Sequence, residues 1–282
     1  INRASLGVQS FDPKVQAAIN RIQPFEQTKD AVDRLRAAGI QAINLDLIYG
    51  LPFQTVDSCL ETVRQAVLLK PDRLAVFGYA HVPSFKQHQR KIDTAALPDG
   101  PERLAQAEAI ATALIAAGYE QIGLDHFALP EDTLAVAAQS GGLHRNFQGY
   151  TTDPCPTLIG FGASSIGRLP GGFVQNSVLI GDYQQRVAEG RLAVTRQCTT
   201  SEEDDRRSAI IMRIMCDYRI DLTADFDLVD EAALSALQSD GLIIREGNTI
   251  SVTDEARPLV RAVAAAFDAY LDEDAGRHSR AA

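Results

Sequence analysis

Apolar residues along the first half of the chain follow two alternating patterns. Short runs at 3–8, 43–49, 73–79 and 119–124 read as strands. Between them, residues 25–38, 55–69 and 101–117 carry apolar positions at helical spacing. Ala31, Val32, Leu35 and Ala38 share one face of the first helix, and Gly39 stops it. Leu60, Val63 and Val67 point inward from the second. Pro101 opens the third and Gly118 ends it. Strands alternating with helices predict a parallel α/β sheet.

Polar residues close the strands: Gln9, Asp46, and Tyr79 with His81. That placement favours a barrel-type site at the C-terminal ends of the strands over a doubly wound sheet. From 129 to 200 the pattern is irregular. The stretch 158–167 is apolar and glycine-rich but lacks the Lys-Ser/Thr of a phosphate loop. It predicts backbone passing close to something flat or bulky. A helix is expected at 180–189. Thr200 or Ser201, followed by acidic residues, starts a helix over 201–217. A helix at 228–237, a hairpin of 242–245 with 249–252, and a final helix at 254–271 resemble a winged-helix module. Residues 273–282 read as a polar tail. The expected division is 1–128, a barrel section; 129–200, a connecting segment over the site; and 201–282, a mostly helical domain.

Composition narrows the classes. The net charge of −10 argues against a non-specific nucleic-acid binder. Residues 254–271 offer only Arg257 and Arg261 against several acids, so a winged-helix regulator of DNA is disfavoured. No apolar run is long enough for a membrane span. Four scattered cysteines suit a reducing cytoplasm better than a disulfide framework. His81, His88, His126 and His144 show no zinc-binding spacing.

The run 144–152 holds His144, Arg145, two side-chain amides, two aromatic rings, a glycine and two hydroxyls, with no aliphatic residue. Neither a 2-residue nor a 3.6-residue apolar face explains it. It predicts a ligand-handling loop. Asp46 in an apolar strand needs partners for its carboxylate. The amide of Gln9 suits a nucleoside or amino acid, and the fork of Arg21 suits a carboxylate.

The run 144–152, with Leu6-Gly7-Val8-Gln9, Asn44 to Pro52, Gly78-Tyr79-Ala80-His81 and Asp125 to Pro130, resembles the oxygen-independent coproporphyrinogen III oxidases, a radical S-adenosylmethionine (SAM) family. The resemblance covers essentially the whole chain. It implies the second half of a partial (β/α)6 TIM-like barrel, followed by the helical C-terminal domain. It implies a [4Fe–4S] cluster and two SAM molecules. Gln9, Arg21, Asp46 and Ala80 match contacts to the second SAM, and Ile166 matches a contact to the first. His126, His144 and Arg145 are this sequence's own candidates for substrate propionates. The implied reaction converts two propionates of coproporphyrinogen III to vinyl groups by a SAM-derived radical, in the cytoplasm, with an electron donor and an acceptor. Cys59, Cys155, Cys198 and Cys216 cannot form the family's Cys-x3-Cys-x2-Cys motif. The expectation is therefore a fragment without the cluster ligands, inactive alone and holding no metal. Two rival readings are a related heme-binding or heme-transfer protein and a half-barrel metabolic enzyme without a cluster.

Overall fold

The computed structural model describes residues 2–84, 86–146 and 148–271. The polar tail at 273–282 lies outside them. Strand β1 (Arg3–Gln9) is followed by helices α1 (Pro13–Ala18) and α2 (Phe25–Ala37). Then come β2 (Ala42–Tyr49), α3 (Val56–Leu68), β3 (Arg73–Gly78) and α4 (Gly100–Ala116). β1, β2 and β3 pair in parallel. Their helices lie on one side, and the core there is built on Val8, Ile43, Leu45, Leu47, Leu74 and Leu114. α3 and α4 start where they do because Thr55 and Asp99 form capping boxes with Ser58 and Glu102.

One expectation is corrected beyond β3. The run 119–124 does not continue the parallel pattern as one strand. It splits into β4 (Glu120–Ile122) and, after a turn at Gly123, β5 (His126–Ala128). β5 inserts antiparallel between β3 and β4, giving the order β1-β2-β3-β5-β4. Gly123 makes the turn with φ +60°.

The irregular segment also has structure. After α5 (Thr133–Ser140), the run expected as a loop forms a hairpin of β6 (His144–Asn146) and β7 (Gly149–Thr151). β8 (Ile166–Leu169), β9 (Gly172–Asn176) and β10 (Val194–Thr199) form a separate antiparallel sheet, with α6 (Ile180–Ala188) between β9 and β10. Three helices then surround a small sheet: α7 (Glu202–Asp217), α8 (Glu231–Ser239) and α9 (Val260–Ala265). That sheet has the order β11-β13-β12, from β11 (Arg219–Asp221), β12 (Ile243–Glu246) and β13 (Thr249–Val252). The expected hairpin is present, and β11 adds a third strand. α8 begins later than expected because Asp230 caps it, accepting from the amides of Ala232 and Ala233. The expected helix at 254–271 shortens to α9. Pro258 lacks an amide hydrogen, so the chain makes a tight turn at 257–259 before the helix proper. Among the described residues, no helix is long and apolar enough to cross a membrane.

Tyr150 joins these parts. Its buried hydroxyl donates to the Met215 carbonyl of α7 at 2.9 Å and accepts from the Leu124 amide at 3.1 Å. A Cβ on Gly123 would stand 2.0 Å from the Tyr150 ring. Gly123→Ala therefore meets both a left-handed backbone and a ring with no room to move. It should cost about 2 kcal/mol or more in urea unfolding. An unchanged midpoint would show that Tyr150 is not fixed against this turn.

Candidate functional site

Side chains alternate across the barrel strands, and this separates packing from chemistry. Ile43, Leu45 and Leu47 face the helices, while Asn44 and Asp46 face the other way. The pairing register then aligns Gly7, Asp46, Ala75 and His126 in one row across β1, β2, β3 and β5. With strands spaced about 4.8 Å apart, the row spans about 14 Å from Gly7 to His126.

At the β1 end, the register slips between Gly7 and Gln9, and Gln9 adopts φ +66°. This bulge re-aims the glutamine. A Cβ on Gly7 would lie 2.6 Å from Gln9 Nε2 and 3.2 Å from Arg21 Nη2. The two side chains thus converge over a glycine. Arg21 donates to the Gly7 carbonyl at 2.7 Å and to Gln23 Oε1 at 3.1 Å, so among the described residues its charge is met by neutral groups. Buried Gln16 fixes this loop by donating to the carbonyls of Ser10 and Gln23. A cleft of about 250 Å³ beside β1 and α2 includes Ser5, Gly7, Arg21 and Gln23 in its lining. Asp46 accepts from Ser5 Oγ at 3.0 Å and from Asn44 Nδ2 at 2.7 Å, which holds its carboxylate in one orientation.

Ala80 follows β3. Its carbonyl accepts from Gln89 Nε2 at 2.9 Å, and Gln89 Oε1 accepts from the Val82 amide at 2.6 Å. Arg103 on α4 lies over the Tyr49 ring, in the space left by Gly50 and Gly78. Burial pushes the Tyr49 phenol up, against the opposing pull of Arg103 and Arg261.

At the far end, His126 is buried and packs edge-on against Phe77 and Tyr150. Its Nδ1 is 2.7 Å from Asp125 Oδ1. The Arg145 guanidinium lies 5.6 Å from the Tyr150 ring centre. Arg145 and Tyr150 pair across the hairpin, so they share its face toward His126. His144 pairs with Thr151 and takes the opposite face. Tyr150 therefore touches both His126 and Arg145, while His144 lies on the hairpin's other face.

Four buried side-chain polar atoms lack a protein partner among the described residues: Asn44 Oδ1, His81 Nε2, Arg145 Nε and Arg213 Nε. Asn44 lies two residues before Asp46 on β2, His81 follows Ala80, and Arg145 lies on the hairpin. Ile166 stands apart. It lies on β8 opposite Gln175, and no hydrogen bond or ion pair among the described residues joins it to the barrel row. Ser5, Arg103, Asp125 and Arg261 belong to the site's surroundings but were not singled out as site residues from the sequence. Asp125 adjoins a candidate histidine, which was the one available signal.

Gln9 and Arg21 over Gly7, with Asp46 on the neighbouring strand, offer the donor and acceptor types that an amino-acid and nucleoside ligand such as SAM needs. A [4Fe–4S] cluster does not fit. Among the described residues, no three His, Cys, Asp or Glu side chains are arranged to hold a metal ion. Cys59 and Cys216 are buried, and Cys155 and Cys198 are exposed.

The parallel β1-β2-β3 section, with Asp46 and His126 on the face away from the helices, has the layout of a radical SAM-type α/β protein. Residues 1–66 match the Radical SAM superfamily model. The chain is 57% identical to the oxygen-independent coproporphyrinogen III oxidase of Bradyrhizobium diazoefficiens, over all of this chain and 64% of that protein. It is 43% identical to the Thermostichus vulcanus protein of the same name, over 98% of this chain and 88% of that one. The solved coproporphyrinogen III oxidase of Escherichia coli, described as a radical SAM enzyme, superposes with a TM-score of 0.87 at 39% identity, over 96% of this chain and 65% of that one. The chain belongs to the oxygen-independent coproporphyrinogen III oxidase family. It spans just under two thirds of the length of the B. diazoefficiens relative.

Burial pushes the Cys59 thiol up to about 12 and the Cys216 thiol up to about 11. The reactive form is the thiolate, which burial disfavours. A maleimide at mildly alkaline pH should modify Cys155 and Cys198 in the native chain, and all four cysteines only after denaturation. Native labelling of Cys59 would contradict the packing of α3 against the sheet.

Proposed function

We propose that the complete protein decarboxylates two propionates of coproporphyrinogen III to vinyl groups, giving protoporphyrinogen IX. The observation that carries this reading is the row from Gly7 to His126, with Gln9 and Arg21 converging at one end and a cation beside an aromatic ring at the other. Named relatives of this activity support it. When bound, SAM supplies the hydrogen-abstracting radical. Gln9, Arg21, Asp46 and Ala80 would hold one SAM. Arg21 would face its carboxylate, and Asp46, fixed by Ser5 and Asn44, would accept from hydroxyls or the ammonium. Ile166 would touch a second SAM. The cluster belongs to the reading of the complete protein and not to the residues described here.

His126 and Arg145 would meet the macrocycle, with Arg145 facing a propionate carboxylate. His144, on the hairpin's other face, would make a contact at the rim. The chain's part in the chemistry is to position the propionate and exclude water. The reading includes an electron donor and an acceptor, and a cytoplasmic setting.

The test is anaerobic turnover by the complete, iron-reconstituted protein with SAM, reductant and coproporphyrinogen III. Two successive losses of CO2, each with SAM cleavage, support the reading. SAM cleavage without CO2 means another substrate. Stoichiometric heme binding without turnover moves the protein to the heme-handling relatives. Arg145→Ala should raise KM by about tenfold, the loss of one charge-assisted contact. An unchanged KM removes Arg145 from the substrate site.

A further inference from the structure

Arg103 is a cation at the strand exits that the reading above does not use. It sits in the first turn of α4, with its guanidinium 6.0 Å from the Tyr49 ring centre. Two glycines make its place. A Cβ on Gly50, where φ is +80°, would stand 3.3 Å from Arg103 Nε and Cζ. A Cβ on Gly78 would stand 2.9 Å from Tyr49 Oη and 3.2 Å from Arg103 Nη2. The phenol oxygen and a guanidinium nitrogen thus converge over Gly78, which ends β3 and is exposed. Tyr49 and Gly78 form the last pair of the β2–β3 ladder. The convergence therefore lies at the rim of the strand ends, between Ala80 and Phe77, whose ring packs against His126.

This turn is held in place without any use of the arginine's charge. Gln106, one turn further along α4 and buried, accepts from the Gly50 amide at 2.9 Å and donates to the Gln54 carbonyl at 3.0 Å. The acids nearest Arg103 in sequence are engaged in the helix cap. Asp99 accepts from the Glu102 amide at 2.9 Å, and Glu102 accepts from the Asp99 amide at 3.0 Å. Arg261, the other cation that acts on this phenol, is shared with Asp125. Among the described residues, no carboxylate pairs with Arg103 and no hydrogen bond reaches the Tyr49 hydroxyl. Burial keeps the phenol protonated, so it offers a donor beside the cation. A cation and a neutral donor, converging at an exposed glycine and lacking an acceptor, suit a carboxylate.

We infer that Arg103 and the Tyr49 hydroxyl form a carboxylate subsite, which holds a second propionate of the substrate at the rim while Arg145 faces the first. This rests on the proposed function. Propionates project from every pyrrole ring of coproporphyrinogen III, so the macrocycle needs counter-charge on more than one side. Arg145 on the hairpin and Arg103 on α4 belong to separate elements and would meet different edges of the ring. Arg103 thereby sets which edge lies toward the strand exits.

The test compares binding of coproporphyrin III, the stable oxidised acid, with binding of its tetramethyl ester by the complete protein, read by fluorescence quenching. Arg103→Gln should weaken the acid by about tenfold and leave the ester nearly unchanged. Arg103→Lys should recover most of that loss, and Tyr49→Phe should weaken the acid by about threefold. In turnover, Arg103→Gln should raise the KM for coproporphyrinogen III by about tenfold while SAM affinity holds. Equal losses for acid and ester would mean that Arg103 only packs on Tyr49, and would overturn the inference. Unchanged acid affinity, or a fall in SAM affinity alone, would overturn it too, even with a wild type that releases CO2. A wild type that binds the acid without releasing CO2 overturns the proposed function, and the Arg103→Gln comparison still decides the subsite. No binding of the acid by the wild type overturns both.

Discussion

The structure depends on the two-residue alternation of β2. Ile43, Leu45 and Leu47 are almost fully buried against the helices. Each such side chain contributes roughly 2 kcal/mol by leaving water. A slip of one residue would expose all three and drive Asn44 and Asp46 into an apolar layer, at several kcal/mol each. The register is thus pinned by packing on one face. The other face inherits its order from that register, and Gly7, Asp46, Ala75 and His126 fall into line as a result.

Glycines admit side chains where a Cβ would clash. Gly7 lets Gln9 and Arg21 converge, Gly149 lets His126 pack against the hairpin, and Gly123 admits Tyr150 beneath the turn. Through Tyr150 and the Asp125–Arg261 pair, the C-terminal helices contact the residues around His126 directly. α7 and α9 therefore help to fix the site rather than merely flanking the barrel.

Much of this was legible in the sequence. The βα pattern, the capped helices and the C-terminal hairpin followed from periodicity and turn residues. Gln9, Arg21 and Asp46 were identified as candidates and lie around one strand edge. The antiparallel β5 was hidden because His126, Phe127 and Ala128 are too few to show a period, and only the φ of Gly123 reveals the turn. The hairpin at 144–151 gives no strand signal because each of its strands has three residues. Its alternation, which separates His144 from Arg145, appears only once the pairing is known. Asp125 and Arg261 are far apart in sequence, and no local pattern links them.

The account is tested most directly by an experimental structure of the complete protein, prepared anaerobically with SAM and coproporphyrinogen III. It should place a methionine carboxylate at Arg21, near Gln9 and Gly7, and a propionate of the macrocycle at Arg145. A macrocycle bound away from the Gly7–His126 row would contradict the account.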